Sequence, residues 1–237
     1  MIKHLPLLLV PLGLAGAAWA AMPAKAPVPS AQAPVVVELF QSQGCSDCPP
    51  AQANLNAIAD RPDVIALSFG VTYWDHLGWK DSFASPRFTE RQWDYARRNG
   101  RREVATPQMW INGRSTIVGS NRPQLDASIA NAGAPQGPAL KIAGNRLRIE
   151  AGKAPAGGAD VWLVRYDPRT VQVAIRAGEN GGRTLPHRDV VRELTRIGAW
   201  TGAAQTFPLP APGDSAFRTA VLLQAGKGGP IVGAAKG

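Results

Sequence analysis

The chain has two cysteines, and they stand three positions apart in Gly44-Cys45-Ser46-Asp47-Cys48-Pro49-Pro50. The apolar run Val35-Val36-Val37-Glu38-Leu39-Phe40 comes just before them and reads as a short buried strand. A cross-link used as a staple is best placed between distant residues, because the entropy it removes from the unfolded chain grows with the loop it closes. Closing so short a loop gains little. The spacing therefore points to thiol chemistry rather than stapling, and the motif alone leaves redox and metal binding both open.

The first residues read as an address and not as fold. Lys3 and His4, the apolar stretch Leu5 to Ala18 and the small-x-small triplet Ala18-Trp19-Ala20 have the layout of a secretory signal peptide over residues 1–20. That stretch is too short and too interrupted by Pro and Gly for a good membrane span, and no other segment approaches the length needed. Residues 21–33 are Ala/Pro-rich and read as a tether. Export is the expectation, with the periplasm as the location, where disulfides persist.

The formal charge is +9. Arg87, Arg91, Arg97, Arg98, Arg101 and Arg102 make one helix and its exit strongly basic, which reads as an anion-binding surface or, preferably, as a solvated helix face. No aromatics interleave with these arginines as a base-stacking platform would need, and nucleic acid is not an expected partner.

Residues 34–133 read as alternating elements. Val35 to Phe40 and Val64 to Val71 are strands, with a helix from Pro50 to Ala59 between them. The aromatic loop Thr72 to Asp81 follows, then a helix opened by Ser85-Pro86 and ended near Asn99-Gly100. Gln108 to Ile111, Asn112-Gly113 and Ser115 to Val118 make a hairpin, and Asn121-Arg122-Pro123 starts a last helix. Residues 134–138, Ala-Pro-Gln-Gly-Pro, read as a linker. Beyond it, residues 139–237 show short strand patterns at Ala139 to Ile142, Arg146 to Glu150, Val161 to Tyr166, Val171 to Arg176 and Thr219 to Gln224. Val190 to Ile197 fits helix or strand equally. The expectation for this half is a smaller, mostly antiparallel, sandwich-like β domain. His187, beside Arg188 and Asp189, reads as a surface residue there.

The order β-α-β-α-β-β-α with the cysteine pair after the first strand resembles the thioredoxin core, so the expected fold of residues 34–133 is an α/β thioredoxin-like domain. Thr106-Pro107 stands before the third strand, where that resemblance implies a cis-proline facing the cysteines. A secreted bacterial family, the domain of unknown function 1223 family, is resembled more closely still. The strings that carry this are Val37-Glu38-Leu39-Phe40, Ser42-Gln43-Gly44-Cys45-Ser46, Cys48-Pro49-Pro50-Ala51, Tyr73-Trp74-Asp75, Leu77-Gly78-Trp79-Lys80-Asp81, Phe83-Ala84-Ser85-Pro86, Thr106-Pro107-Gln108-Met109 and Asn112-Gly113-Arg114. The second half matches more loosely, at Gly178-Glu179-Asn180 and Gly182-Arg183-Thr184-Leu185. The chain departs from ordinary thioredoxin in Gly44, where a Trp is usual, and in Ser46-Asp47 between the cysteines.

These readings lead to a thiol–disulfide oxidoreductase acting on a protein disulfide or a small-molecule thiol, with an unidentified redox partner and no cofactor. Cys45 is the expected exposed nucleophile, Cys48 the resolving thiol, and Pro107 the third site residue. Asp47 reads as a helix cap or a charge that tunes the thiol. By resemblance Glu38 is a buried acid relaying protons to Cys48; read as a strand residue it is an outward carboxylate. Trp74, Asp75 and Trp79, with Thr106, wall a substrate groove or form a packed cover. One alternative is a metal-handling module in which the two thiolates hold Cu(I) or Zn(II), with His76 as third ligand. Another is a non-enzymatic binding protein whose disulfide is inert.

Overall fold

The computed structural model describes residues 1–2 and 27–237. The expected leader, save its first two residues, and residues 21–26 of the expected tether lie outside the described residues.

β1 (Val35–Gln41) and β2 (Val64–Gly70) are buried along their whole length and pair in parallel, from Val35↔Val64 to Gln41↔Gly70. Strands apolar on both faces need a layer on each side, and helices supply both. α1 (Cys48–Asn56) and α3 (Arg122–Ala132) pack on the face carrying Val35, Val37 and Leu39. α2 (Pro86–Arg98) packs on the face carrying Val36 and Phe40. The Ser85 hydroxyl accepts the Arg87 N–H at 3.3 Å and Pro86 takes the first turn, as the sequence predicts. β3 (Gln108–Ile111) runs antiparallel to β1 and turns through Asn112 and Gly113, both at positive φ, into β4 (Ser115–Ile117).

The rest of the chain adds β5 (Leu140–Ala143), β6 (Arg146–Ile149), β7 (Ala159–Asp167), β8 (Val171–Ala174), β9 (Thr184–His187), β10 (Val190–Trp200), β11 (Gln205–Pro208), β12 (Arg218–Gln224) and β13 (Ile231–Lys236). The strands expected as a sandwich-like β domain do not all pair among themselves. Four of these strands extend the sheet of the first half, giving eight strands in the order β13-β12-β7-β10-β2-β1-β3-β4. The seam is β10 beside β2, parallel at Val190↔Ser68, where the Asp189 carbonyl accepts the Ser68 N–H at 2.9 Å.

The reason is that β7 and β12 are apolar on both faces. On one face Val164, Tyr166, Ala220 and Leu222 share a core with Phe88 and Tyr95 of α2. On the other, Val161, Leu163, Val221 and Leu223 are covered by the small sheet β11-β6-β5. Layering of sheet on sheet is confined to that corner. Residues 134–138, expected as a linker, are packed in place: the Gly137 N–H donates to the Val232 carbonyl at 2.6 Å. The architecture is a mostly β protein built on one mixed sheet, and the described residues form three α-helices. β8 and β9 pair as a separate hairpin, and β9 packs on α1, beside the cysteines.

Candidate functional site

Cys45 lies in the loop after β1, and Cys48 opens α1 with Pro49 and Pro50 in the first turn, where a missing N–H is harmless. The helix therefore starts two residues ahead of the expected Pro50. The cysteines form a disulfide with Cα atoms 5.5 Å apart. Asp47 occupies the N-cap position but its side chain makes no capping bond, and it is exposed. The Thr106–Pro107 bond is cis, and Cys45 Sγ lies 3.7 Å from the Thr106 carbonyl oxygen. A reduced Cys45 can donate to that oxygen; the disulfide has no proton to give.

Cys45 is not the exposed member of the pair, because each cysteine is only 1% exposed. Two loops cover them. In the aromatic loop, Trp74 Nε1 donates to Thr106 Oγ1 at 2.7 Å and Trp79 Nε1 to Gln43 Oε1 at 2.9 Å. Asp81 is buried, and its two oxygens accept the Gln43 and Phe83 N–H groups, each at 2.8 Å. Burial pushes its carboxyl up to about 6 despite those bonds. Asp75 Oδ1 accepts the Asp81 N–H at 3.2 Å and so steadies the same loop.

The second cover comes from the connection between β8 and β9. Asn180 is fully buried, and its Nδ2 donates to the Gln43 and Cys45 carbonyls at 2.9 and 2.8 Å. Glu179 Oε2 accepts from the Ser46 N–H at 3.0 Å and from the Ser46 hydroxyl at 2.7 Å. The Ser46 N–H and hydroxyl hold the Glu179 carboxyl below its ordinary range. Gly178, at φ 73°, gives the backbone the left-handed turn this approach requires.

Other expected site residues lie elsewhere. Glu38 is buried, but on the α2 face of the sheet, away from α1: Oε1 accepts from Arg91 Nε at 2.6 Å and Oε2 from the Tyr95 hydroxyl. The strand alternation decides this, since Val37 and Leu39 take the α1 face. Arg91 is accordingly a buried partner and not part of a solvated face. His76 is exposed with Nδ1 2.8 Å from the Tyr73 carbonyl, and among the described residues no three His, Cys, Asp or Glu side chains group as metal ligands.

His187, expected at the surface, is 2% exposed; it lies edge-on to Phe83, and both its ring nitrogens are buried without a hydrogen-bond partner. Burial pushes it down to about 4. The sequence by itself gives Gln43, Glu179, Asn180 and His187 no role at the cysteines, and Asp81 enters only as the end of the aromatic loop. The string Gly178-Glu179-Asn180 was the one available pointer to the second cover.

Residues 36–224 match the model of a family described as a protein of unknown function, DUF1223. A crystal structure of a protein from Agrobacterium tumefaciens is similar at 36% identity, covering 85% of this chain and 92% of that one, with a TM-score of 0.70. HBP35 of Porphyromonas gingivalis is alike in fold, at 14% identity and a TM-score of 0.51, over 87% of this chain and 75% of that one. No curated protein matches the chain.

Proposed function

Because the chain belongs to the DUF1223 family, whose description states no activity, we propose its function from the site itself: an exported, periplasmic thiol–disulfide oxidoreductase whose first half is a thioredoxin-like unit. The observation that carries this reading is the cysteine pair at the start of α1 against the cis Thr106–Pro107 bond, with Cys45 Sγ 3.7 Å from the Thr106 carbonyl. A helix N-terminus favours a thiolate over a thiol, which supplies the attacking species. Pro107 has no N–H, so the backbone of Thr106 is left to meet an extended substrate. Exchange then runs through a mixed disulfide with one cysteine, resolved by the other. The contacts of Glu179 and Asn180 with residues 43–46 make opening of the β8–β9 connection part of any reaction with a protein substrate.

The 1% exposure of both cysteines favours a second reading, an inert disulfide in a binding protein. The reduction potential separates the two. Redox-active pairs of this kind span roughly −270 to −120 mV, whereas structural disulfides in secreted proteins lie below about −300 mV. A potential inside the first range, with insulin reduced by the dithiol form and not by a Cys45/Cys48 double serine variant, is the expected result. A potential below the second limit with no insulin reduction selects the inert disulfide.

A further inference from the structure

A cavity of about 210 Å³ opens beside the pair on the Cys48 side. The first half of the chain contributes Ser42, Cys48 and Gln52 to its lining, and β9 contributes Leu185, Pro186 and His187. At ~30 Å³ per water it holds about seven waters, which is room for a small molecule or a single side chain. No acidic or basic side chain other than His187 borders it, and His187 is neutral at pH 7 because burial pushes it down to about 4.

The polar groups of the lining are unequally engaged. Ser42 Oγ accepts the Gly44 N–H at 3.1 Å, and Gln52 is bonded to the Ser68 hydroxyl at 2.8 Å and to Asn56 at 2.7 Å. Both ring nitrogens of His187 are buried with no partner. A neutral imidazole offers one N–H and one lone pair, and buried polar groups in native proteins nearly always have partners. Those nitrogens have almost no accessible surface, so they give an occupant of the cavity no hydrogen bond. An ionised occupant would meet no countercharge and lose its hydration, which is strongly unfavourable. Cys45, by contrast, sits beneath Asn180, which holds its carbonyl.

We propose that this cavity admits a small, uncharged sulfur compound to Cys48, making Cys48 the sulfur that meets such a substrate and Cys45 the one that resolves it. The chemical step rests on the oxidoreductase reading; the access route does not. In the reduced protein the Cys48 thiolate attacks one sulfur of an uncharged disulfide RSSR. An S–S bond forms to Cys48, the RS–SR bond breaks, and RS⁻ leaves to take up a proton. The Cys45 thiolate then attacks Cys48, closing the protein disulfide and releasing the second RS⁻. The dithiol is oxidised, RSSR is reduced by the same two electrons, and the two thiol protons end on two RSH. This order of attack is the reverse of the one expected from sequence.

The test uses the reduced full chain and two alkylating reagents of similar size, uncharged iodoacetamide and anionic iodoacetate, with the labelled cysteine identified by fragmentation mass spectrometry. Cys48 should react first with iodoacetamide, and its preference for iodoacetamide over iodoacetate should be at least tenfold larger in the native protein than in urea. Leu185→Trp, which fills the cavity, should slow labelling of Cys48 at least tenfold and leave Cys45 unchanged. Pro186→Trp, at the exposed rim, serves as the second filling variant should the first not fold. Faster labelling of Cys45, an equal preference in native and unfolded protein, or no effect of filling overturns the proposal. Single-turnover mixing with 2-hydroxyethyl disulfide reads the chemical step separately. Selective labelling of Cys48 without exchange supports the access route and overturns only the oxidoreductase reading, and exchange without selective labelling overturns the access route.

Discussion

Glu179 holds Ser46 by both of its donors, the backbone N–H at 3.0 Å and the hydroxyl at 2.7 Å, across 133 residues of sequence. Ser46 lies between the two cysteines, so this contact ties the β8–β9 connection to the redox loop. Glu179→Ala should speed hydrogen exchange at the Ser46 amide several-fold and raise the alkylation rate of the reduced cysteines, with little change in overall stability. Unchanged exchange at Ser46 would show that the contact does not hold the cover shut.

Asn180 makes the stronger tie. Its Nδ2 serves two buried carbonyls and its Oδ1 accepts from Arg183 at 2.6 Å. Asn180→Ala leaves the Gln43 carbonyl without a donor, while the Cys45 carbonyl keeps the Cys48 N–H at 3.2 Å, and a buried unpaired group costs about 1–3 kcal/mol. Urea unfolding of the oxidised protein should show a loss of about 1–3 kcal/mol. A loss below about 0.5 kcal/mol would mean that water replaces the amide at no cost.

Glu38 provides a test of face. Its partners Arg91 and Tyr95 belong to α2. Glu38→Leu strands the Arg91 charge and should cost about 3–5 kcal/mol, while leaving the reduction potential of the cysteine pair in place. A shifted potential at unchanged stability would restore the proton-relay role that the resemblance implies.

Asp189 and His187 give opposite pH slopes. Burial pushes Asp189 up to about 7 against the pull of Arg188 and Arg218. Between the ordinary value of 3.8 and about 7 the folded state keeps a proton that the unfolded state has released, so its contribution is full at low pH and is lost as pH rises. Asp189→Asn removes this loss, and Asn also tolerates the backbone φ of 52°. The variant should match the wild type at pH 4 and exceed it by about 1–4 kcal/mol at pH 8. Equal stability at both pH values counts against a buried carboxyl there.

For His187 the sign is reversed. The folded ring resists protonation down to about 4 while the unfolded ring takes a proton near 6.5, so stability is present above pH 6.5 and lost as pH falls toward 4. In His187→Phe the drop between pH 7 and pH 4 should be smaller than in the wild type by up to about 3 kcal/mol. Chemical denaturation at a series of pH values reads it, and a drop as large as the wild type's excludes the buried ring as its source.

The features governed by local signals could be read before the structure. Ser85-Pro86 opened its helix, Asn112-Gly113 turned its hairpin, and the run Val35 to Phe40, apolar but for Glu38, marked a buried strand. What lay beyond reach was pairing at long range. No periodicity tells that Val190 should lie beside Ser68, or that an antiparallel run after residue 139 should extend a sheet begun at Val35. The site divided in the same way. The cysteines and Thr106-Pro107 were visible as motifs, whereas Asn180 and His187 acquire their meaning only when β8 and β9 fold back over α1. Glu38 reads from the sequence as either a buried acid or an outward carboxylate, and what decides its surroundings is Arg91, which lies 53 residues on.

Cys45 and the amide that holds its carbonyl are 135 residues apart. A ribosome makes the cysteines first, and at about 5–20 residues per second Asn180 is added roughly 7–27 seconds later. For that interval the nascent chain carries its two thiols without the loop that later shuts over them, so the chemistry open to them at birth differs from the chemistry open to the finished protein.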